Sequence, residues 1–215
     1  MSALAYKKIN ANQRQASAFG EVVVPLSKSL PLATFAASTE IFAPGQAALN
    51  VYQVEFGAVR VYRLLADGRR QVIAFHLAGE SFGLEAGGMH QLFAETIIPS
   101  GLRIVPLDGA GRQQIDIAAL ALQAMASAQN HIMLVSRLTA VERISAFLLD
   151  MANRQGGLDH FDLPMSRLDM ADYLDLTIET VSRVLAKLRS AGLIRLRSIR
   201  RVEIMRPEDL YNISA

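Results

Sequence analysis

The sequence contains no cysteine and no tryptophan among its 215 residues. Without cysteine, disulfide bonds, cysteine-ligated zinc, cysteine-ligated iron–sulfur clusters and thiol catalysis are all excluded. Aromatic residues make up only 7% of the chain, but 51% of it is hydrophobic and 20% charged. That composition can fill the core of one large domain or two modest ones. The net charge is only +2, so the overall charge alone indicates no partner.

Long apolar runs are also scarce. One uncharged run of 20 residues lies between Asp116 and Arg137, which is the length of a membrane-spanning helix. The run includes glutamine, serine, asparagine and histidine, which are costly in lipid. The first 20 residues show no apolar stretch typical of a secretory signal. We therefore expect a soluble, cytoplasmic protein without a membrane partner, and a flexible N-terminal segment over residues 1–20.

Turn residues divide the following part of the chain into short apolar segments. They fall at 43–46, 57, 66–68, 78–80 and 99–101, a spacing typical of short strands joined by turns. The Asp67-Gly68 pair predicts a hairpin, followed by a strand from Arg70 to Leu77. An antiparallel β-sandwich or roll is therefore predicted over residues 21–112.

Residues 113–154 predict a long helix and hinge, because no glycine or proline lies between Arg112 and Gln155. Small and medium residues recur there at alternating steps of three and four, a pattern that favours close approach of two helices. The helix therefore either packs on its own sandwich or pairs about a two-fold axis, and both can hold on different faces. The candidate dimer interface consists of Ala121, Met125, Ala128, Ile132 and Val135.

A helix-turn-helix is predicted within a C-terminal domain over residues 155–215. The segment 155–157 (Gln-Gly-Gly) breaks the preceding helix. Ser166 and Asp169 have capping spacing, Thr177 can cap a second helix, and Gly192 suits the position just after its end. Two short helices joined by a tight turn form this motif.

The second helix of the motif carries polar residues near its N-terminus, the part that enters the major groove in this motif. Glu can accept a hydrogen bond from cytosine N4, and Arg can bind guanine O6 and N7 together. The same residues could instead form a solvated helix face. The candidate base-contacting residues are Glu179, Ser182 and Arg183.

Cationic residues are concentrated after this helix, where eight basic residues stand against the single acid Glu203 between Ser182 and Arg206. Residues 193–205 alternate apolar and basic side chains, which predicts a small β-hairpin, or wing. A basic wing beside a reading helix suits a DNA phosphate backbone. The candidate backbone contacts are Thr177, Thr180, Lys187, Arg195, Arg197 and Arg200.

Three segments resemble the Crp/Fnr family of transcription regulators. Residues 75–85 are similar to the family's sensory domain, and residues 140–147 and 163–183 to the hinge and DNA-binding domain of the Fnr branch. The Glu-x-x-Ser-Arg pattern over 179–183 is the most specific part. The resemblance implies an α+β fold: an N-terminal antiparallel β-sandwich or roll like cyclic-nucleotide-binding domains, a long dimerisation helix and a C-terminal winged helix-turn-helix.

By resemblance, the branch reads a palindrome similar to TTGA-N6-TCAA through Glu179, Ser182 and Arg183. The resemblance also implies a homodimer. It further implies that an activator of this kind contacts RNA polymerase through the loop 64–68, which includes Leu64, Asp67 and Gly68. The sequence lacks both the cluster cysteines and the arginine that binds a cyclic phosphate. It is therefore most similar to the FixK-like group, which controls microaerobic and nitrogen-fixation genes without a cluster or small ligand, so no cofactor and no metal is expected.

Other functions are weaker alternatives. A haem- or metal-sensing regulator of this family could use His76 or His90. A cupin-type metalloenzyme would need a His-x-His pair, which is absent, and no nucleophile elbow, Walker loop or dinucleotide fingerprint occurs, so no enzyme activity is expected. A DNA-bending protein would be basic but would not need the sandwich. His131 is expected to be a polar interface residue rather than a ligand.

Overall fold

The computed structural model describes residues 31–108, 116–137, 139–157 and 160–214. The predicted flexible segment over residues 1–20 lies outside the described residues. Two parts follow one another along the chain: a β-roll, and a helical region that includes a small three-stranded sheet. The predicted α+β class is confirmed.

The β-roll consists of two four-stranded antiparallel sheets. One sheet has the order β1-β8-β3-β6 and the other β2-β7-β4-β5. The predicted strand from Arg70 to Leu77 is β5 with those bounds, and it pairs with β4 across the Asp67-Gly68 turn. The strands are β1 (Leu32–Phe35), β2 (Glu40–Phe42), β3 (Asn50–Phe56), β4 (Ala58–Leu64), β5 (Arg70–Leu77), β6 (Ser81–Phe82), β7 (Phe93–Thr96) and β8 (Ser100–Pro106).

Gly57 separates β3 from β4 and lets the chain pass from one sheet to the other. Its φ is 92°, and a Cβ at this position would lie 2.2 Å from the Ser100 hydroxyl oxygen. The same hydroxyl accepts a hydrogen bond from the amide of Ala58 at 3.1 Å. A side chain here would therefore meet both a left-handed backbone and a clash with β8.

The predicted long helix is two helices, α1 (Ile117–Val135) and α2 (Ala140–Arg154). Thr139 ends the continuity, because its side chain accepts from the Glu142 amide while the Glu142 carboxylate accepts from the Thr139 amide. This reciprocal capping box starts a new helix. The segment 113–154, predicted to be a long helix and hinge, thus contains a second helix start at Thr139. Residues 113–115 lie outside the described residues.

The C-terminal region contains α3 (Arg167–Leu174), α4 (Ile178–Ser190) and α5 (Pro207–Ser214). A sheet of order β10-β11-β9 covers them, with β9 at His160–Asp162, β10 at Ile194–Leu196 and β11 at Arg201–Ile204. The hairpin β10–β11 is the wing that the alternating pattern predicted.

The β-roll and the helical region share one apolar core. Phe75 of β5 lies 4.9 Å, ring centre to ring centre, from Tyr173 of α3, and Phe147 of α2 lies 5.7 Å from the same ring. Arg154 adds a polar link, because its guanidinium donates to the Glu80 carboxylate at 2.7 Å and to the Phe75 carbonyl at 2.5 Å. The position of α3 is therefore set by both regions.

Candidate DNA-binding surface

The helix-turn-helix begins and ends at the residues that its sequence predicts. Ser166 and Asp169 form a complete capping box at the start of α3. Asp175 adopts a left-handed conformation (φ 53°) that ends α3, and the Thr177 hydroxyl then accepts the Thr180 amide to start α4. Gly192, at φ 69°, follows the last turn of α4. Each cap satisfies backbone groups that a helix end leaves unpaired.

The apolar side of α4 faces the domain core, with Val181, Val184, Leu185 and Leu188 all buried. Two apolar side chains of the motif lie outside that core. Leu168 of α3 is 50% exposed, and Ile178 of α4 is 40% exposed. The buried apolar positions of α3 include Met170, Ala171 and Leu174.

Opposite that apolar side, α4 presents its polar residues to solvent. Glu179 and Arg183 are exposed, as are Thr177 and Lys187, whereas Thr180 and Ser182 are half-buried. The Arg183 guanidinium makes one long contact of 3.4 Å, to the Thr180 hydroxyl. It is therefore not tied into the fold and can reach a ligand in front of the helix.

Arg167 also belongs to this surface, although it is not among the DNA contacts predicted from the sequence. Its guanidinium donates to the Ser182 hydroxyl at 3.1 Å, which brings the first turn of α3 next to the middle of α4. Ser182 therefore already has a partner within the protein. The position of Arg167 directly after the Ser166 cap could have indicated this role, because a side chain there can lie beside the following helix.

The wing arginines are exposed but paired. Arg197 donates to the Glu203 carboxylate at 2.7 Å, and Arg195 lies 3.4 Å from the same oxygen. The hydrogen bond from Arg197 holds the pKa of Glu203 below its ordinary value. At the end of the hairpin, Arg200 is exposed, while its neighbour Arg201 pairs with Asp162 at 2.9 Å. The cationic surplus along the chain is therefore partly balanced in space.

Charge in the C-terminal region is separated rather than uniformly positive. Residues 155–215 contain nine Lys and Arg and nine Asp and Glu. The cations lie mainly on α4 and the wing, and several acids lie on α3 and α5. DNA would meet the field of the cationic side rather than the net charge of the domain.

The proposed interface positions on α1 lie on its solvent side in the protomer. Ala121, Met125, Ala128 and Ile132 are exposed, with Met125 at 48% and Ile132 at 64%, and Val135 is half-buried against the main core. The opposite side of α1 buries Leu120 against Val51 and Val105 of the β-roll. The helix thus packs on its own roll by one face and leaves an uncharged apolar face uncovered.

Comparison with known proteins decides the family. A Crp-like helix-turn-helix domain matches residues 142–213, and a cyclic nucleotide-binding domain matches residues 32–98. The chain is 51% identical over 189 residues to the nitrogen fixation regulation protein FixK of Rhizobium meliloti, covering 88% of this chain and 90% of that protein. The chain belongs to the Crp/Fnr family of transcription regulators.

Further similarities agree. The FixK protein of Azorhizobium caulinodans is 43% identical over 79% of this chain and 73% of its own length. The structure of FixK2 from Bradyrhizobium japonicum superposes with a TM-score of 0.77 at 39% identity, covering 86% of this chain and 98% of that one. The chain is therefore a FixK-type, Crp-family transcription regulator with a helix-turn-helix that binds DNA, and its relatives are regulators rather than enzymes.

The residues of the β-roll do not fit a cyclic nucleotide, although this part matches the nucleotide-binding family. The loop between Phe82 and Phe93 contains no lysine or arginine to pair with a phosphate. Its His90 is only 1% exposed and stacks on Phe42 with ring centres 3.5 Å apart. Tyr52 and Phe82 stack beside them at 5.2 Å. Aromatic side chains thus fill this part of the roll.

The two histidines considered for haem or metal binding are each packed against an aromatic ring. His76 stacks on Phe82 at 5.1 Å, and burial lowers its pKa to about 4. Burial also lowers the pKa of His90, whose Nδ1 lies 3.6 Å from a Glu85 oxygen. Over the described ranges, no group of three or more His, Asp or Glu side chains is arranged to hold a metal ion.

His131, which the sequence predicts to be a polar interface residue rather than a ligand, contacts α3 within the protomer. Its Nε2 lies 2.9 Å from the Tyr173 carbonyl oxygen, and its ring stacks on Tyr173 at 4.0 Å. It therefore connects α1 to α3 within one protomer.

The loop assigned to RNA polymerase contact is the exposed β4–β5 turn. Leu64 is 56% exposed, Gly68 has φ 81°, and Asp67 forms an exposed ion pair with Arg69 at 2.7 Å.

In the part of the chain that the structure describes, none of the helices is both long and apolar enough to cross a bilayer.

Proposed function

We propose that the chain is a transcription activator that binds, as a homodimer, to a palindrome similar to TTGA-N6-TCAA and controls microaerobic and nitrogen-fixation genes. The proposal rests mainly on one observation: α4 begins at a capped N-terminus and exposes Glu179 and Arg183 beside an arginine-rich wing. The names of the relatives connect those proteins with the regulation of nitrogen fixation.

The chemistry of α4 matches the one G·C pair of each TTGA half-site. Arg183 can donate to guanine O6 and N7, while Glu179 accepts from the amino group of the paired cytosine. Ser182 is the third candidate base contact, and its hydroxyl can both accept from Arg167 and donate to a base. Glu179 is also favoured at the first turn of the helix, where the helix dipole stabilises negative charge.

Binding strength comes from the surroundings of the reading helix. Thr177 caps α4, Thr180 and Lys187 lie on it, and Arg195, Arg197 and Arg200 lie on the wing. Contacts from such groups to phosphate supply affinity that depends on salt but select no sequence.

A palindrome requires two copies related by a two-fold axis. The uncharged face of α1, which includes Ala121, Ala128 and Ile132, is the surface that we assign to this contact. The small side chains of Ala121 and Ala128 let two helices approach closely. Two reading helices would then be separated by about one DNA turn, roughly 34–36 Å.

We propose further that the protein binds DNA with neither a cluster nor a cyclic nucleotide. The missing cysteines and the aromatic filling of the roll support this. The exposed turn with Leu64, Asp67 and Gly68 is the proposed contact with RNA polymerase. Because its partner is the double-stranded DNA of a bacterial cell, we place the protein in the cytoplasm.

A gel-shift titration of the purified protein tests this function. The protein, without additives and in air, is titrated against a TTGA-N6-TCAA duplex, the same duplex with one half-site mutated, and a scrambled duplex. We expect the intact palindrome to bind most tightly, with a clear loss for the mutated half-site. Equal affinity for all three duplexes, or a strict requirement for a cyclic nucleotide or haem, would contradict the proposal.

A further inference from the structure

Two arginines of the β-roll hold two carboxylates of the helix-turn-helix. Arg60 of β4 donates to the Asp169 carboxylate at 2.9 Å, and Arg70 of β5 donates to the same oxygen at 2.7 Å. Arg70 also donates to the Asp172 carboxylate through two of its nitrogens, at 3.0 and 2.8 Å. We call these four residues, Arg60, Arg70, Asp169 and Asp172, the interdomain clamp.

Asp169 uses its two carboxylate oxygens for two different tasks. Oδ1 accepts from both arginines of the clamp, whereas Oδ2 accepts from the backbone amide and the hydroxyl of Ser166, at 3.0 and 2.8 Å. The Asp169 side chain is only 3% exposed. The same group therefore caps the first helix of the DNA-binding motif and attaches that cap to the β-roll.

The β-roll side of the clamp is supported by further contacts. Both guanidinium groups lie over the ring of Tyr62, at 5.9 Å for Arg60 and 5.7 Å for Arg70, and Phe93 stacks on that ring at 5.2 Å. Glu95 accepts from Arg60 at 2.8 Å. These contacts within the β-roll restrict the two arginine side chains, which lowers the conformational entropy that is lost when they form ion pairs with α3.

Whatever holds α3 also places α4. The buried side chains of α3 and those of α4 belong to one core, and only Asp175, Leu176 and Thr177 separate the two helices. At its far end α3 is tied to α2, because Arg143 donates to the carbonyl oxygen of Leu174 at 3.2 Å. The reading helix therefore moves with α3 as a unit.

We propose that Arg60 and Arg70 are positioning residues for DNA recognition, and that the interdomain clamp keeps the reading helix in its DNA-binding position without an effector. This inference rests on the proposed function. A dimer recognises a palindrome only if both reading helices match the half-site spacing. The clamp fixes that placement in each protomer from residues of the β-roll, which lie outside the candidate base-reading helix.

The members of the clamp share their partners. If α3 left the β-roll, Asp169 would lose both of its cationic partners at once and keep only its contacts with Ser166. Arg70 would lose both of its carboxylate partners in the same step. A mutation that neutralises one member should increase the fraction of molecules whose reading helix is released.

Two variants and one matched control test the proposal. Asp172→Asn keeps the size of the side chain and lies outside the capping box, so it weakens the clamp with little risk to the fold. Arg70→Gln removes the cation that contacts both carboxylates. The control is Arg69→Gln, since Arg69 is next to Arg70 in the chain but its side chain is 76% exposed and forms an ion pair with Asp67 instead of the clamp carboxylates.

The assay measures binding to duplexes whose two half-sites have the normal separation or one or two additional base pairs. Each added base pair rotates one half-site by about 35° relative to the other. We expect the unmodified protein and Arg69→Gln to bind the duplexes with added base pairs at least about tenfold more weakly than the normal duplex. A loss of this size is similar to the cost of one mismatched base pair in a specific site. Asp172→Asn and Arg70→Gln should bind the normal duplex about tenfold more weakly, as the competent fraction falls. They should also show a smaller spacing penalty.

Three results would overturn the inference. If the clamp variants bind every duplex more weakly by one common factor and keep the spacing penalty, the ion pairs are structural only. If they bind the normal duplex more tightly, the clamp is inhibitory. If hydrogen exchange of the amides in α3 and α4, measured without DNA, is no faster in Asp172→Asn than in Arg69→Gln, the clamp does not hold the helices.

Failure of the proposed function would look different. In that case the unmodified protein itself would not distinguish the palindrome from scrambled DNA. A palindrome preference in the unmodified protein that is combined with an unchanged spacing penalty in the variants would leave the function standing and refute only the clamp.

Discussion

Replacement of Arg183 by alanine tests the base-reading role of α4 directly. Arg183 is exposed and makes only a 3.4 Å contact with Thr180, so the free energy of unfolding should change by no more than about 0.5 kcal/mol. A bidentate contact to guanine contributes about 1–3 kcal/mol. A dimer presents two such arginines, so the palindrome should lose about 2–6 kcal/mol, or a factor of about 30 to 20,000 in affinity.

The assay compares the variant with the unmodified protein on the palindrome, on duplexes with each half-site base changed, and on scrambled DNA at one salt concentration. The variant should bind the palindrome far more weakly, and its preference should flatten at the G·C position while remaining at the others. Arg189→Ala is the matched control. It removes the same charge from another exposed position of α4 and should weaken binding to every sequence alike.

An equal loss on the palindrome and on scrambled DNA would refute the base-reading role, because it would make Arg183 a phosphate contact like the control. A fall in thermal stability of the variant would contradict the view that the side chain is free of the fold. A flattened preference at some other base pair would instead show that the register of α4 in the groove differs from the proposed one.

Three other changes test the wing, the dimer and the β-roll. Arg197→Ala should lower affinity for specific and scrambled DNA alike and reduce the slope of log affinity against log salt by about one per protomer. Glu203→Gln frees the wing arginines from their carboxylate and should raise affinity for both kinds of DNA. An unchanged salt slope in Arg197→Ala would remove the wing from the interface. Ala128→Asp should shift the protein toward monomer in light scattering and weaken palindrome binding, because it forces a charge into the α1 contact; a dimer of undiminished affinity would place the interface elsewhere. Burial lowers the pKa of His76 to about 4, from about 6.5 in the unfolded chain. Between these two pH values the unfolded state therefore binds one more proton than the folded state. The free energy of unfolding should fall by up to about 3 kcal/mol as the pH drops from about 6.5 to about 4. Urea unfolding of the His76→Gln variant should show a smaller fall, and parallel losses in both proteins would contradict the assignment.

Features that depend on neighbours a few residues away could be predicted from the sequence. The caps at Ser166 and Thr177 and the positive φ of Gly192 follow from side chains within one helical turn. The bounds of β5 follow from the turn that precedes it. The start of α2 is equally local, because Thr139 and Glu142 have the same capping spacing as Ser166 and Asp169. The absence of glycine and proline between Arg112 and Gln155 favours one continuous helix and gives no sign of this break.

Features that depend on tertiary pairing could not be read in this way. Arg60 and Arg70 lie far from Asp169 in the chain, and nothing local to either segment marks them as partners. The pairing of Arg197 with Glu203 reduces a cationic surplus that a count along the sequence overstates. Leu168 is exposed because the packing of α3 on the roll, rather than its own spacing, decides which face turns inward.

A regulator that binds DNA without an effector must keep its reading helix in place by contacts within the chain. The apparent dissociation constant rises in inverse proportion to the competent fraction, so a fraction already above about 0.9 leaves a ligand almost nothing to add. The interdomain clamp suits that requirement, because Asp169 is buried and cannot lose its partners at low cost. In the β-roll, aromatic side chains stack around His90 beside a loop that carries no cation. Under the proposed function, the β-roll influences DNA binding through the ion pairs that Arg60 and Arg70 form with α3, and not through a bound ligand.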